Sequence, residues 1–301
     1  MYFVLLFVIG ALSKNPKNFK IFNSNDSTTR VENHLIPTLR SAIFTNSEKT
    51  TNLIIDNCGV REIEPGFLAN ASISPEKIEI RKNSIEVLFS ETFKNLEVRQ
   101  LFLDHNEICV LEDNTFCDLA NLETLDLSHN ALTVMSGSMV KNVPKLRVFN
   151  IEKNRIAILE NYSFGFIETK ARIFAGFNNL VDLKTWALSG TKGKILLLNL
   201  THNYFDILPP FFFENITLER VDLSFNIHLD VFSLLQSCLT CKIAKLDIRP
   251  FGVSPELIEW AYGNDISLLF HATGAKFKPR PIFLLLLLIV RTVPLRLISP
   301  W

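Results

Sequence analysis

Apolar residues recur along the chain with a period of about 24 residues. Each unit has a reference residue from which the others keep fixed distances: Cys58, Asn83, Asn106, Asn130, Asn154, Asn178, Asn203 and Asn226. Two apolar residues stand five and three positions before it, as Leu125 and Leu127 stand before Asn130. This spacing places both side chains on one face of a short strand. A single strand cannot bury that face, so we predict parallel strands stacked into a solenoid around one continuous core.

The reference asparagine is predicted to be structural. Its amide both donates and accepts hydrogen bonds, so it can satisfy main-chain groups left open where each strand ends. Cys58 stands at the same position in its unit and is predicted to be a buried core thiol.

The unit resembles that of the leucine-rich repeat family, L-x-x-L-x-L-x-x-N-x-L. Residues 122–132, LETLDLSHNAL, are its most regular copy. The resemblance implies an α/β solenoid, a curved horseshoe with a parallel β-sheet on its concave side and an irregular or short-helical convex side. It implies the extracellular or cell-surface type, here without full cysteine caps. We place the solenoid at residues 31–253, which holds about ten units including degenerate ones at both ends.

Both ends of a solenoid need a cover, because terminal repeats would otherwise expose apolar surface. Residues 14–30 are predicted to be a polar N-terminal segment. Residues 254–275 are predicted to be a C-terminal cap that begins with a helix. Its expected N-cap is Ser254, with Pro255 in the first turn and Gly263 at its end.

The two chain termini are apolar. Residues 1–13, MYFVLLFVIGALS, have the length and the small residues of a signal peptide, and a buried first strand is the alternative. In the tail, residues 276–301, the apolar run 282–290 ends at Arg291 and is shorter than the about 20 residues that cross a bilayer. A lipid-anchor signal, an interfacial segment and an extension without function are the three interpretations of this tail.

The charge balance argues against a polyanionic partner. Lys plus Arg and Asp plus Glu both number 31, so nucleic acid is not predicted as a ligand. The sequence has no arrangement typical of catalysis; GTKGK at residues 190–194 lacks the spacing and the hydroxyl residue of a phosphate-binding loop. We therefore predict no enzyme activity and no cofactor.

The five cysteines are too few for a disulfide scaffold. Cys109 and Cys117 lie in one unit, and Cys238 and Cys241 lie close together, so each pair is a candidate for a local disulfide in a secreted chain. Half a zinc site or a redox dithiol is the alternative for Cys238 and Cys241. Neither a second ligand pair nor a thioredoxin-like pattern accompanies them.

Five sequons for N-glycans occur, at Asn25, Asn70, Asn161, Asn199 and Asn215. Asn70, Asn161 and Asn215 are predicted to face outward on the convex side. Asn199 lies on the solvent side of a predicted strand, where a glycan would block part of the concave face.

The concave face is the default binding surface of such a solenoid. Its candidate partner-binding residues point away from the predicted core: Phe102, Asp104, His105, Asp126, His129, Asn150, Phe174, Phe177 and His202. Phe102, Phe174 and Phe177 are candidate anchors, and Gly176 is expected to leave a gap beside the last two. The alternatives are that the rings lie flat over neighbouring strands and that the histidines reflect the repeat consensus.

These observations predict a non-enzymatic recognition protein that is secreted or tethered to the cell surface. Its ligand would be a protein or a glycoconjugate, bound in adhesion, receptor or immune-type recognition, and the C-terminal tail would supply any membrane tether. Two alternatives are an intracellular scaffold without a signal peptide and a structural protein of the extracellular matrix, because the family spans all these roles.

Overall fold

A computed structural model of the chain describes residues 27–44, 50–68, 71, 73–230, 232–237, 242–249 and 254–269. In these ranges eleven parallel strands form one continuous sheet, in chain order. They are Thr28–Glu32, Asn52–Asp56, Lys77–Arg81, Gln100–Phe102, Thr124–Asp126, Val148–Asn150, Ala171–Phe174, Ile195–Asn199, Thr217–Asp222, Lys242–Asp247 and Ser267–Leu269. Leu125 pairs with Leu101 on one side and Phe149 on the other, so the register repeats the sequence period. The predicted solenoid with a parallel sheet is confirmed.

The side of each unit opposite this sheet is built from turns and very short strands. These strands are Thr38–Leu39, Glu62–Ile63, Val87–Leu88, Val110–Leu111, Phe116–Cys117, Val134–Met135, Val140–Lys141, Ile158–Leu159 and Asp182–Leu183. Helical structure there is limited to the 3₁₀ turns Ser41–Ile43 and Gly137–Met139 and the α-helix Ser233–Ser237, as far as the described residues go. The convex side is therefore irregular and contains little helix.

One unit is a residue longer than the unit before it, and a bulge absorbs the difference. Ala171 pairs with Ile195, but its neighbour Arg172 pairs with Leu197, so Leu196 is the extra residue. A bulge at the start of the strand leaves the later register intact, and Leu198 keeps its place in the core.

Phenylalanine rings extend the core between the units. Phe44, Phe67, Phe93 and Phe116 follow one another with ring centroids 6.1, 5.9 and 5.4 Å apart. All four are buried, and burial of each such ring contributes about 2 kcal/mol to stability. This run accounts for part of the high phenylalanine content of the chain.

The reference asparagines link successive units through their side chains. Asn154 Nδ2 donates to the carbonyls of Leu127, Ile151 and Glu152 at 3.0, 3.1 and 3.3 Å, and its Oδ1 accepts the Leu132 N–H at 3.0 Å. Leu127 and Leu132 belong to the preceding unit, so one amide closes its own turn and ties it to its neighbour. These hydrogen bonds are the ones that the predicted structural role of the asparagines requires.

In its unit, Cys58 replaces the asparagine, and its thiol donates to main-chain carbonyls as the asparagine amide does elsewhere. Its Sγ lies 3.4 Å from the Val31 carbonyl and 3.3 Å from the Asp56 carbonyl. Burial raises the pKa of the Cys58 thiol, with smaller raising contributions from Asp56 and Glu32. The sulfur therefore stays protonated at neutral pH, as a donor must.

The N-terminal end of the solenoid begins earlier than predicted. The first strand starts at Thr28, inside the segment 14–30 that the sequence pattern assigns to a polar region outside the repeats. Ile36, Leu39 and Phe44 of this leading unit are buried in the core. The predicted signal peptide, residues 1–13, lies outside the described residues.

The C-terminal end carries the predicted helix, Pro255–Gly263. The Leu257 N–H donates to the Ser254 side chain at 3.3 Å, which confirms Ser254 as the N-cap. The strand Ser267–Leu269 follows and pairs with Lys242–Asp247, an addition to the sheet that the sequence did not predict. The tail at residues 276–301 lies outside the described residues.

A buried carboxylate holds two arginines near this end of the sheet. The Asp247 carboxylate is fully buried and accepts hydrogen bonds from the Arg249 side chain at 2.9 and 2.6 Å, and Arg220 approaches it at 3.5 Å. Burial alone would raise the pKa of Asp247. Hydrogen bonds from Arg249, with the charges of Arg249 and Arg220, hold this pKa below its usual value.

We expect Asp247 to stabilise the fold at neutral pH and to lose this effect in acid. Because its pKa is lowered on folding, the stabilisation is complete above the unfolded pKa of about 4 and disappears as the pH falls through the folded value. Asp247→Asn should lower the free energy of unfolding at pH 7 by about 1 kcal/mol, a modest loss since Arg249 is half exposed to solvent. Urea unfolding of both proteins at pH 7 and pH 3 checks this. A difference in the free energy of unfolding between wild type and Asp247→Asn that is the same at both pH values would contradict it.

Candidate functional site on the concave face

Polar side chains in the middle of the concave face take part in local hydrogen bonds. Asp126 Oδ1 accepts the Ser128 N–H at 2.9 Å, Asn150 Oδ1 accepts the Glu152 N–H at 3.1 Å, and Asn199 Oδ1 accepts the Thr201 N–H at 3.0 Å. Such a bond to the residue two positions later turns the chain at the end of each strand. The candidates Asp126 and Asn150 also contact each other, at 3.2 Å from Nδ2 to Oδ2. The side chains of Asp126 and Asn150 therefore have only part of their hydrogen-bonding capacity available for a ligand.

Cations cover the predicted anchor Phe102. The Arg81 guanidinium lies 4.4 Å and the Lys77 ammonium 5.4 Å from the centroid of its ring. Arg81 also pairs with Asp104 at 2.7 Å, and Asp104 is buried and bonded to His105 at 2.9 Å. A ligand approaching this part of the face would therefore meet Arg81 before Phe102 or Asp104.

The gap expected at Gly176 is absent, because neighbouring side chains fill it. A Cβ atom placed on Gly176 would lie 2.9 Å from the Thr201 methyl carbon and 3.2 Å from Glu152 Oε1. The Glu152 carboxylate crosses this position and accepts a hydrogen bond from the Asn199 amide at 2.8 Å, two strands away. Burial raises the pKa of Glu152. Phe174, the candidate beside this network, is half-buried.

A column of left-handed residues lies just past the ends of the strands. It consists of Asn33, Asn57, Lys82, His105, His129, Lys153, Phe177, His202 and Phe225, with φ between 50° and 59°. The N–H of each donates to a carbonyl of the next unit, as Phe177 does to Thr201 at 2.9 Å. The candidates His105, His129, Phe177 and His202 therefore stand on this left-handed column at the edge of the concave face, and their assignment to the strand face was wrong.

Rings of the left-handed column stack on one another across the units. Phe177 and His202 have centroids 4.1 Å apart, and His202 and Phe225 have centroids 4.4 Å apart, with nearly parallel planes. We call these three residues the aromatic stack. Lys153 lies at its end, 5.8 Å from the Phe177 centroid. Phe225 was not among the candidates, although it holds the same repeat position as Phe177 and His202, which is the signal that could have found it.

His105 and His129 form a second stacked pair in the same column, with centroids 4.0 Å apart. Burial lowers the pKa of His129, and so do the neighbouring His105 and Lys153. The pair differs from the aromatic stack because it holds two imidazoles and no phenylalanine, and because His105 bonds the Asp104 carboxylate at 2.9 Å.

The units that hold the aromatic stack carry further exposed apolar side chains. Phe177 and Phe225 are 45% and 46% exposed, and Tyr204 and Ile227, each directly after a reference asparagine, are 54% and 63% exposed. The residues that correspond to Tyr204 and Ile227 in earlier units are polar or small: Gly59, Ser84, Glu107, Ala131, Arg155 and Asn179. The apolar part of this edge is thus concentrated in the later units of the solenoid.

The cysteines do not pair in the described part of the chain. Cys109 and Cys117 are free: Cys109 Sγ lies 3.5 Å from the Glu86 carbonyl, and Cys117 Sγ lies 3.3 Å from Asn114 Oδ1. The candidate bridge between them is therefore absent from this structure. Cys238 and Cys241 lie outside the described residues.

The sequons differ in accessibility. Asn161 and Asn215 are exposed, and Asn199 is half-buried on the concave face. Asn25 and Asn70 lie outside the described residues. Over the ranges that the structure covers, no three metal-ligating side chains come together, and no helix has the length and apolar character needed to cross a bilayer.

Comparison with known proteins finds the same repeat in part of the chain. The family model of the leucine rich repeat matches residues 73–132, 97–156 and 120–168. Tsukushi of Gallus gallus is 27% identical over 60% of this chain and 48% of its own length. Keratocan of Bos taurus is 31% identical over 45% of this chain and 39% of its own length. Toll-like receptor 3 of Boselaphus tragocamelus is 28% identical over 40% of this chain and 14% of its own length.

A solved structure shares the fold. It is a chain in the crystal structure of a TLR13–ssRNA13 complex, with a TM-score of 0.62 and 16% sequence identity, over 81% of this chain and 42% of that chain. The chain spans about half or less of the length of these three sequence relatives. The repeat register, the asparagine hydrogen bonds and these matches agree: residues 73–168 carry leucine-rich repeats, and the described chain has the solenoid fold of such repeats.

Proposed function

We propose that the chain is a non-enzymatic recognition protein, secreted or tethered to the cell surface, whose ligand is a protein bound at the concave face and its edge. The observation that carries this proposal is the aromatic stack of Phe177, His202 and Phe225. The sequence relatives support the recognition class, since one of them is named a receptor.

Folding alone does not explain phenylalanine in the left-handed column. Positive φ is costly for bulky residues and is best tolerated by Gly, Asn and Asp. Earlier units place Asn57, Lys82 and Lys153 at the same position, with nearly the same φ. Exposed phenylalanine at a strained position in a polar field is what a binding anchor requires, because a desolvated aromatic contributes strongly to binding.

Replacing Phe177 and Phe225 by asparagine should separate binding from stability. Asparagine suits positive φ, so the double variant should keep its free energy of unfolding within about 1 kcal/mol of wild type. Capture on intact cells, measured by flow cytometry with the tagged chain as bait, should fall at least about ten-fold. Lys82→Asn is the matched control at the same backbone position and should change neither quantity. Binding by the double variant equal to wild type would remove the aromatic stack from the proposal.

Export needs its own test. N-terminal sequencing of the mature chain and a mobility shift on glycosidase treatment should show a cleaved leader and attached sugar. An intact Met1 with no shift would favour the intracellular scaffold instead. Release of the chain from cells by a phosphatidylinositol-specific phospholipase would identify a lipid anchor. If the enzyme releases none of the chain, the proposal is restricted to a secreted protein.

A further inference from the structure

A second exposed aromatic column lies away from the concave face. Tyr162, Trp186 and Phe211 each stand eight residues after a reference asparagine, and they are 58%, 50% and 41% exposed. The equivalent residues of earlier units are Gly66, Glu91, Asn114 and Ser138. We call Tyr162, Trp186 and Phe211 the convex column. Its aromatic character begins in the unit of Asn154 and is absent from the earlier described units.

Folding does not require aromatic residues in the convex column. Tyr162 and Phe211 have φ of 62°, and Glu91 and Asn114 adopt 62° and 61° at the same position of their units. The backbone therefore accepts small or polar residues there and places bulky ones under strain. Such a run of exposed rings is a liability for a secreted protein unless something covers it.

A sequon lies directly against this column. The Asn161 side chain is exposed, and its Oδ1 accepts the main-chain N–H of Trp186 at 3.2 Å. The Tyr162 N–H donates to the Trp186 carbonyl at 2.8 Å. Asn161 is thus held beside two of the three rings. Its Nδ2 is the attachment atom of an N-glycan, so the first sugar lies next to these rings.

We propose that the N-glycan of Asn161 lies over Tyr162 and Trp186 and covers the convex column. Sugar rings can place their C–H faces on aromatic rings while their hydroxyl groups stay in water. The glycan would shield apolar surface without recruiting a protein. This inference rests on the export part of the proposed function, because the sugar is added only in the secretory pathway.

The hydroxyl of the sequon constrains the choice of variant. Ser163 is fully buried, and its Oγ donates to the carbonyls of Glu160 at 2.6 Å and Met135 at 2.7 Å. Changing Ser163 would disturb the core as well as the sequon, so Asn161→Gln is the better variant. Asn215→Gln removes an exposed sequon that belongs to a later unit, and it serves as the matched control.

Iodide quenching of tryptophan fluorescence on the secreted chain tests the inference. In a Trp301→Phe background the remaining indoles are Trp186 and Trp260, and Trp260 is only 5% exposed. The glycan should cover about half of the exposed Trp186 ring, so the quenching constant should rise about two-fold in Asn161→Gln and stay unchanged in Asn215→Gln. Removal of the sugar by an amidase converts Asn161 to aspartate, which keeps the Oδ1 that accepts the Trp186 N–H. The quenching constant should rise by the same factor after this treatment.

The outcomes separate this inference from the proposed function. An occupied Asn161 whose loss leaves quenching unchanged overturns the glycan cover and leaves the recognition function intact. So does a secreted chain in which mass spectrometry finds sugar on Asn215 but none on Asn161. A chain that stays in the cytoplasm without sugar overturns both.

Discussion

Gly193→Ala should destabilise the solenoid more severely than a methyl group added at Gly59, Gly137, Gly165, Gly176, Gly190 or Gly263. A Cβ atom at Gly193 would lie 1.9 Å from the Thr169 carbonyl oxygen, 2.5 Å from its carbonyl carbon and 2.6 Å from its nitrogen. These are main-chain atoms of the preceding unit, so relief requires the two units to move apart. We expect a loss of more than about 3 kcal/mol in the free energy of unfolding, measured by urea denaturation.

Gly263→Ala is the matched control for this prediction. Gly263 ends the C-terminal helix, and a Cβ atom there would meet nothing within 4 Å. Alanine loses less conformational entropy than glycine in a helix, so this variant should be neutral or gain up to about 1 kcal/mol. A loss below about 1 kcal/mol for Gly193→Ala would contradict the predicted clash.

Asn154→Ala should cost about 3 kcal/mol, because it leaves buried main-chain groups in two units without partners. Its amide donates to three carbonyls and accepts one N–H, and the side chain is buried. The measurement is again urea unfolding. The slope of the free energy of unfolding against urea concentration should match that of wild type, which shows that the transition remains two-state.

Asn106→Ala provides an internal comparison for the acceptor bond. Asn106 Nδ2 makes the same kind of donor contacts, to Ile80, Leu103 and Asp104, but its buried Oδ1 has no hydrogen-bond partner. Its loss should therefore be smaller than that of Asn154→Ala by about 1 kcal/mol. Equal losses in the two variants would show that the accepted N–H contributes nothing. Asn154→Cys should recover part of the loss, since Cys58 already donates with its thiol.

The sequence predicts this fold well because its signals are local and repeated. Leu125 and Leu127 reach the core through strand alternation alone, and the repeat brings the same pair into register with Leu101 and Phe149. The N-cap at Ser254 is equally local, since it needs only a hydroxyl before a helical turn that begins with proline. Repetition turns weak local preferences into one consistent architecture.

The candidate site was less predictable, since it depends on contacts between units. The sequence pattern puts the column with Lys82, His129 and Phe177 on the strand face, because lysine and phenylalanine do not signal positive φ and histidine alone does so only weakly. Only the hydrogen bond from each N–H to the next unit imposes the left-handed turn. Likewise, the gap at Gly176 is filled by Glu152, whose reach across to Asn199 depends on side-chain conformation and leaves no trace in the repeat pattern.

The left-handed column also bears on how this protein can change over evolutionary time. Its backbone is set by main-chain hydrogen bonds between units, and asparagine, lysine, histidine and phenylalanine all occupy it with nearly the same φ. Exchange of one of these side chains therefore leaves the asparagine bonds and the leucine core untouched. Fold stability therefore resides in the asparagines and the leucine core, and the column is free to vary. Under the proposed function, new specificities arise in the column through single substitutions whose stability costs are small and add independently between distant units.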